Sequence, residues 1–102
     1  WIEIDNCILD TGSASTAIDI DQINLDYQKP TRIKRLFGIG GTQEVISQNI
    51  AGIKVDNKII ENFDIEFGQF ESNYKINGII GNDIFCKFNL SIDFTTTRFA
   101  LS

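Results

Sequence analysis

Histidine and methionine are absent from this 102-residue chain, cysteine occurs only at positions 7 and 86, and Pro30 is the single proline. Without histidine there can be no Ser-His-Asp or Cys-His relay, and most zinc ligand sets are excluded. Two cysteines are too few for a disulfide framework. Each reads as a small apolar residue packed beside a strand, with a Cys7–Cys86 bond as the alternative. No apolar run approaches the ~20 residues of a membrane-crossing helix, so no membrane contact is expected from this segment. Positive charge is scarce: 9 Lys and Arg against 14 Asp and Glu leave a net charge of −5. Nucleic acid is therefore not an expected partner, since it requires clustered positive charge. The short basic group Lys29, Arg32, Lys34 and Arg35 reads as a solvated loop and strand edge. Beginning at Trp1 with no methionine, the chain is expected to be a trimmed or processed piece of a longer one. The residues leave its cell compartment open.

The composition is that of a globular protein, 42% apolar and 23% charged, and the length suits one domain over residues 1–102. Isoleucine is about a fifth of the chain and is β-branched, which favours strands. Ile2 and Ile4 alternate with Glu3 and Asp5, as on a half-buried strand. Cys7-Ile8-Leu9 is a short, fully apolar strand that delivers Asp10 to its end. Ala17, Ile18 and Ile20 predict a second strand or a short turn, and Asp19 to Thr31 an irregular loop. Arg32 to Gly52 reads as a long hairpin tipped by Gly38-Ile39-Gly40-Gly41. Asp56-Asn57 is a turn from which Ile59-Ile60 return. Phe63, Ile65 and Phe67 form the buried face of a strand whose other face carries Asp64 and Glu66. Gly68 to Tyr74 reads as a loop. Asn82-Asp83 is expected to cap a short helix, Ile84 to Phe88. Leu90, Ile92 and Phe94 alternate on a strand, Thr95 to Thr97 turn, and Phe99 and Leu101 close the chain.

The chemistry-bearing segment is Asp10-Thr11-Gly12-Ser13, a carboxylate, a hydroxyl and a glycine at a strand end. Alone it is equally a strand-end turn, with Asp and Thr bonding nearby amides. Its context is more specific. Ile-Leu-Asp-Thr-Gly-Ser, a glycine-tipped hairpin, and Ile-Ile-Gly-Asn-Asp-Ile-Phe beginning at Ile79 together resemble the retropepsin-like aspartic proteases, from about Ile8 to Leu101. The ending Leu90-Ser91-Ile92-Asp93-Phe94 looks most like the bacterial relatives.

The resemblance implies a mostly β, retropepsin-like acid-protease barrel with one short C-terminal helix and a glycine-tipped flap. It implies an aspartic endopeptidase acting as a homodimer on peptide or protein substrates, with no cofactor and no metal. Asp10 matches the catalytic aspartate. Thr11 matches the residue whose hydroxyl bonds across the two-fold axis, Gly12 the position where substrate backbone approaches, and Ser13 the end of that supporting loop. Phe37, Gly38, Ile39, Gly40, Gly41 and Thr42 match the flap. Ile79, Ile80 and Gly81 match the apolar strand behind the catalytic loop.

Only one such aspartate segment is present, so paired carboxylates require two copies of the chain. Two carboxylates about 3 Å apart cannot both ionise, and the pair titrates as a unit. The ionised member draws a proton from water while the protonated one polarises the peptide carbonyl. Asp83 and Asp93 are the in-chain candidates for a second carboxylate; Asp83 is expected to cap the helix and Asp93 to face outward. Gly38 to Gly41 is not a phosphate loop, because no Lys-Ser/Thr follows and the flanks are β.

The match has departures. Only nine residues precede Asp10, fewer than in the viral enzymes: either that strand is missing from this piece, or the dimer forms differently, as through Arg98 to Leu101. Ala14 and Ser15 stand where the viral enzymes often have two acids, and Asn82 where an arginine is usual. Ser13 is nearer the pepsin-like and bacterial pattern. A dimerising, peptide-binding domain of the same fold without useful turnover is the alternative reading, and a purely structural fragment a third.

Overall fold

Strands take up the isoleucine-rich segments. The computed structural model describes residues 1–24, 31–38, 41–70 and 75–102, with backbone alone for 34–38 and 41–44. Among these, the strands are β1 (Cys7–Leu9), β2 (Ala17–Asp19), β3 (Thr31–Gly38), β4 (Gly41–Val55), β5 (Lys58–Gly68), β6 (Gly78–Ile80), β7 (Leu90–Asp93) and β8 (Arg98–Leu101). A single 3-10 turn, Ile20–Gln22, follows β2, and one short helix, α1 (Asn82–Phe85), follows β6. The chain is mostly β, as its composition predicts.

Six strands form one sheet in the order β1-β6-β2-β5-β4-β3, and β7 and β8 form a second, antiparallel pair. β6 lies between β1 and β2, which are neighbours in sequence. It runs parallel to β1 (Cys7↔Gly78, Leu9↔Ile80) and antiparallel to β2 (Ala17↔Ile79). The segment joining β1 to β2 must therefore cross the C-terminal end of β6.

The predicted long hairpin is present as β3 and β4, paired from Thr31↔Gln48 to Gly38↔Gly41. At its tip, Ile39 and Gly40 lie outside the described residues. The Asp56-Asn57 turn joins β4 to β5, with Asp56 at φ 55°, a left-handed conformation that Asp tolerates better than most residues. β5 runs unbroken where two separate segments were expected.

The core gathers Ile18, Val55, Phe63, Ile65, Phe67, Ile84, Phe85 and Leu101, with Leu9, Ile80, Phe88, Leu90 and Phe99 packed against it. It thus joins the β2–β5 part of the large sheet to α1 and to the β7–β8 pair. The Leu101 N–H donates to Asp56 Oδ2 (3.1 Å), which ties β8 to the β4–β5 turn.

Several expectations need correction. Residues 1–5 form no strand and Ile2 is exposed, so alternation over so few residues did not secure a pairing partner. β1 is not a buried strand: it is an edge, and Ile8 is 42% exposed. Glu66 is buried (4% exposed) rather than solvent-facing, at an interior sheet position between Ala17 of β2 and Ser47 of β4. The helix starts two residues earlier than predicted and ends at Phe85. Its N-cap is Gly81, with no side-chain capping bond. Asp83 does not cap it. The cysteines are both free, and Cys86 is exposed rather than a core residue. Among the described residues no helix is long and apolar enough to cross a membrane.

Candidate functional site

The Asp10–Thr16 loop is the crossing over the end of β6. It is held at its first residue by the sheet: the Asp10 N–H donates to Ile80 O (2.9 Å), extending the parallel β1–β6 ladder by one bond. The Asp10 carboxylate is then oriented by its own loop, because the Gly12 N–H donates to Oδ1 at 2.9 Å. The Ser13 N–H donates to Asp10 O (3.1 Å), closing a tight turn. A Cβ on Gly12 would lie 3.2 Å from Asp10 Oδ1, so the missing side chain leaves that carboxylate its place. Asp10 is half-buried, while Thr11 and Gly12 are exposed.

Gly81 is where the crossing passes closest to β6. A Cβ there would sit 2.5 Å from Ser15 O and 2.8 Å from Ser13 O, both main-chain atoms, so only glycine fits beneath the loop. The next two residues take up the loop's carbonyls. The Asn82 N–H donates to Ser13 O (2.8 Å) and the Asp83 N–H to Ala14 O (3.1 Å). Asn82 Nδ2 donates to Thr11 O at 2.7 Å. The residue standing where an arginine is usual therefore bonds the loop's main chain.

The far end of the loop is anchored by Thr16, which is fully buried. Its N–H donates to Asp83 Oδ2 (2.8 Å) and its hydroxyl to Asp83 Oδ1 (2.6 Å). The same hydroxyl accepts from the Gly81 N–H (3.0 Å), and Thr16 O accepts from the Glu66 N–H (3.2 Å). Every polar group of Thr16 is thus engaged, and loop, β5 and the start of α1 meet there. Ser13, half-buried, donates through its hydroxyl to Ser15 O (2.8 Å).

The structure brings Asp10, Thr11, Gly12 and Ser13 together with Ile79, Ile80 and Gly81. Phe37 and Gly38 pair with Thr42 and Gly41 on the β3–β4 hairpin, and Ile39 and Gly40 fall outside the described residues. Neither in-chain candidate for a second carboxylate is turned to that use. Asp83 is committed to Thr16, and Asp93 accepts from the N–H groups of Thr95 (2.9 Å) and Thr96 (3.3 Å). Bonds from Thr96 and Thr95 hold the Asp93 carboxyl below the ordinary carboxylate range. Among the described residues no three His, Cys, Asp or Glu side chains converge as a metal site. A concavity of about 730 Å³ on the β4–β5 hairpin, lined in part by Trp1, Gly52 and Ile59, shares no residue with the loop.

Sequence reasoning missed Thr16 and misread Asp83. A Ser/Thr/Asp near a helix start usually bonds locally, and local spacing was the only available signal. The partner here is 67 residues away. No protein-family model matches this chain, and no curated protein matches it.

Proposed function

We propose that the chain is one half of an aspartic endopeptidase of the retropepsin-like kind, with one Asp10 contributed by each subunit of a homodimer. The observation that carries this reading is the pinned aspartate. Asp10 ends a strand paired with β6, its main chain is bonded to Ile80, and its carboxylate is oriented by the Gly12 N–H at 2.9 Å. Added support comes from the Ile79-Ile80-Gly81 segment lying directly under that loop, the arrangement the sequence resemblance implies. The exposure of Thr11 and Gly12 leaves this edge open to a second copy and to an extended peptide.

In the proposed dimer the two Asp10 carboxylates share one proton. One accepts a proton from the attacking water and the other donates to the peptide carbonyl oxygen, giving a tetrahedral intermediate. As its C–N bond breaks, the first carboxyl passes its proton to the leaving nitrogen and a hydroxyl of the intermediate returns one to the second, leaving acid, amine and a singly protonated pair. Main-chain bonding would hold the substrate extended, with its side chains alternately pocketed. The β3–β4 hairpin, from Phe37 to Thr42, would act as the flap that excludes water.

The test is peptide cleavage at acidic and neutral pH, with and without a statine-type inhibitor, for wild type and Asp10→Asn. Loss of at least about a hundredfold in rate on substitution is expected. Peptide binding without turnover would favour the dimerising peptide-binding domain instead, and neither binding nor cleavage a structural role. Sedimentation at several concentrations checks the dimer on which the mechanism depends.

A further inference from the structure

We propose that Thr16 and Asp83 are positioning residues for Asp10, holding the far end of its loop so that the carboxylate is presented at one place. The inference rests on the reading above for its effect on turnover, though not for its effect on the loop. The loop has two ends and two kinds of anchor. At Asp10 the anchor is a sheet bond to Ile80. At Thr16 it is a two-point grip, in which one carboxylate accepts from both the amide and the hydroxyl of a single residue, at 2.8 and 2.6 Å. Two bonds to one carboxylate fix rotation as well as distance, and bonds to an ionised acceptor are stronger than neutral ones.

The grip also sets the height of the loop over β6. The Thr16 hydroxyl that donates to Asp83 accepts from the Gly81 N–H, directly beneath the crossing. Gly81 has no room to spare against Ser13 and Ser15, so a shift at Thr16 is passed into the segment that carries Asp10. Asp83 belongs to α1, whose Ile84 and Phe85 are core residues, so the grip is referred to the hydrophobic core. A misplacement of about 1 Å can lower the rate of a catalytic group by about a hundredfold.

The test compares Thr16→Val, Thr16→Ser, Asp83→Ala and Asp83→Asn in the whole chain, each checked for folding by circular dichroism. Two readouts are taken: kcat and KM on a cleaved peptide, and amide hydrogen exchange at Asp10 and Asn82 against Ile65 and Phe67. The Asp10 and Asn82 amides bond Ile80 O and Ser13 O, which none of these substitutions removes. Thr16→Val and Asp83→Ala are expected to lower kcat by about tenfold or more while KM stays within about twofold. Thr16→Ser, which keeps the hydroxyl, should stay within about threefold of wild type, and Asp83→Asn should fall between. Exchange at Asp10 and Asn82 should rise more than at the core amides. Should Thr16→Val and Asp83→Ala fail to fold, Asp83→Asn carries the test by the same two readouts. Folded variants with wild-type kcat, or with exchange rising equally everywhere, would overturn the proposal. A wild type that cleaves nothing would sink the protease reading, while the exchange pattern would still decide whether the grip orders the loop.

Discussion

Replacing Gly81 by alanine probes the crossing directly, whatever the protein's activity. The added Cβ would meet Ser15 O at 2.5 Å, the Ser15 carbonyl carbon at 2.7 Å and Ser13 O at 2.8 Å. All three are main-chain atoms, so no side chain can swing aside, and the loop or β6 must move. Overpacking of this kind costs about 1–3 kcal/mol. Lifting the loop also stretches the bonds from Asn82 N–H to Ser13 O and from Asp83 N–H to Ala14 O, each worth about 1 kcal/mol. The sum is about 3–5 kcal/mol, a large share of the roughly 5–15 kcal/mol that stabilises a domain. The melting temperature should then fall by on the order of 15 °C or more. Gly52→Ala is the control, because its Cβ would lie at ordinary contact, 3.4 Å from Ile60 O and Trp1 Cη2. Thermal and urea unfolding at one fixed protein concentration is the assay, since self-association would shift the midpoint. A Gly81→Ala protein within about 0.5 kcal/mol of wild type, or no worse than Gly52→Ala, would refute the reasoning.

Three further outcomes are expected. Gly78→Ala should cost about 1–3 kcal/mol, with partial recovery in Gly78→Ala/Ile18→Val, because its Cβ would meet the Ile18 Cδ1 (2.8 Å) and Cys7 Sγ (2.9 Å) side-chain ends; urea unfolding of both proteins measures this. Burial, helped by the Asp5 carboxylate, pushes the Cys7 thiol above its ordinary value of 9.0. The unfolded chain then loses that proton first, so stability should fall as pH rises through 9.0 and less steeply in Cys7→Ala, which denaturation from pH 8 to 10 would reveal. If each active centre takes one Asp10 from each of two chains, mixing wild type with an equal amount of Asp10→Asn and allowing exchange should reduce cleavage per wild-type chain to about half. Unchanged activity after demonstrated exchange would speak for a one-chain centre.

Periodicity over runs of apolar residues was a sound guide wherever a strand had a face against the core. Phe63, Ile65 and Phe67 were legible as one buried side of β5, and the β3–β4 hairpin was legible from its glycines and β-prone arms. Over Ile2–Ile4 the same pattern misled, since nothing local says whether a partner strand exists. Glu66 failed for the complementary reason: alternation puts it on the polar side, but in the folded sheet it stands between β2 and β4 (Ala17↔Glu66, Ser47↔Glu66) and is buried.

From the residues alone came the β-rich class and the Asp-Thr-Gly turn at the end of β1, because both are written in short contiguous segments; the association of that turn with Ile79-Ile80-Gly81 was implied only by the family resemblance. Only the folded chain decided that β6 inserts between β1 and β2, that the loop therefore crosses Gly81, and that Asp83 reaches Thr16 rather than capping its own helix. Spacing along the chain reports neighbours a few residues apart. Which distant groups meet is set by sheet order, and that emerges when the whole core packs.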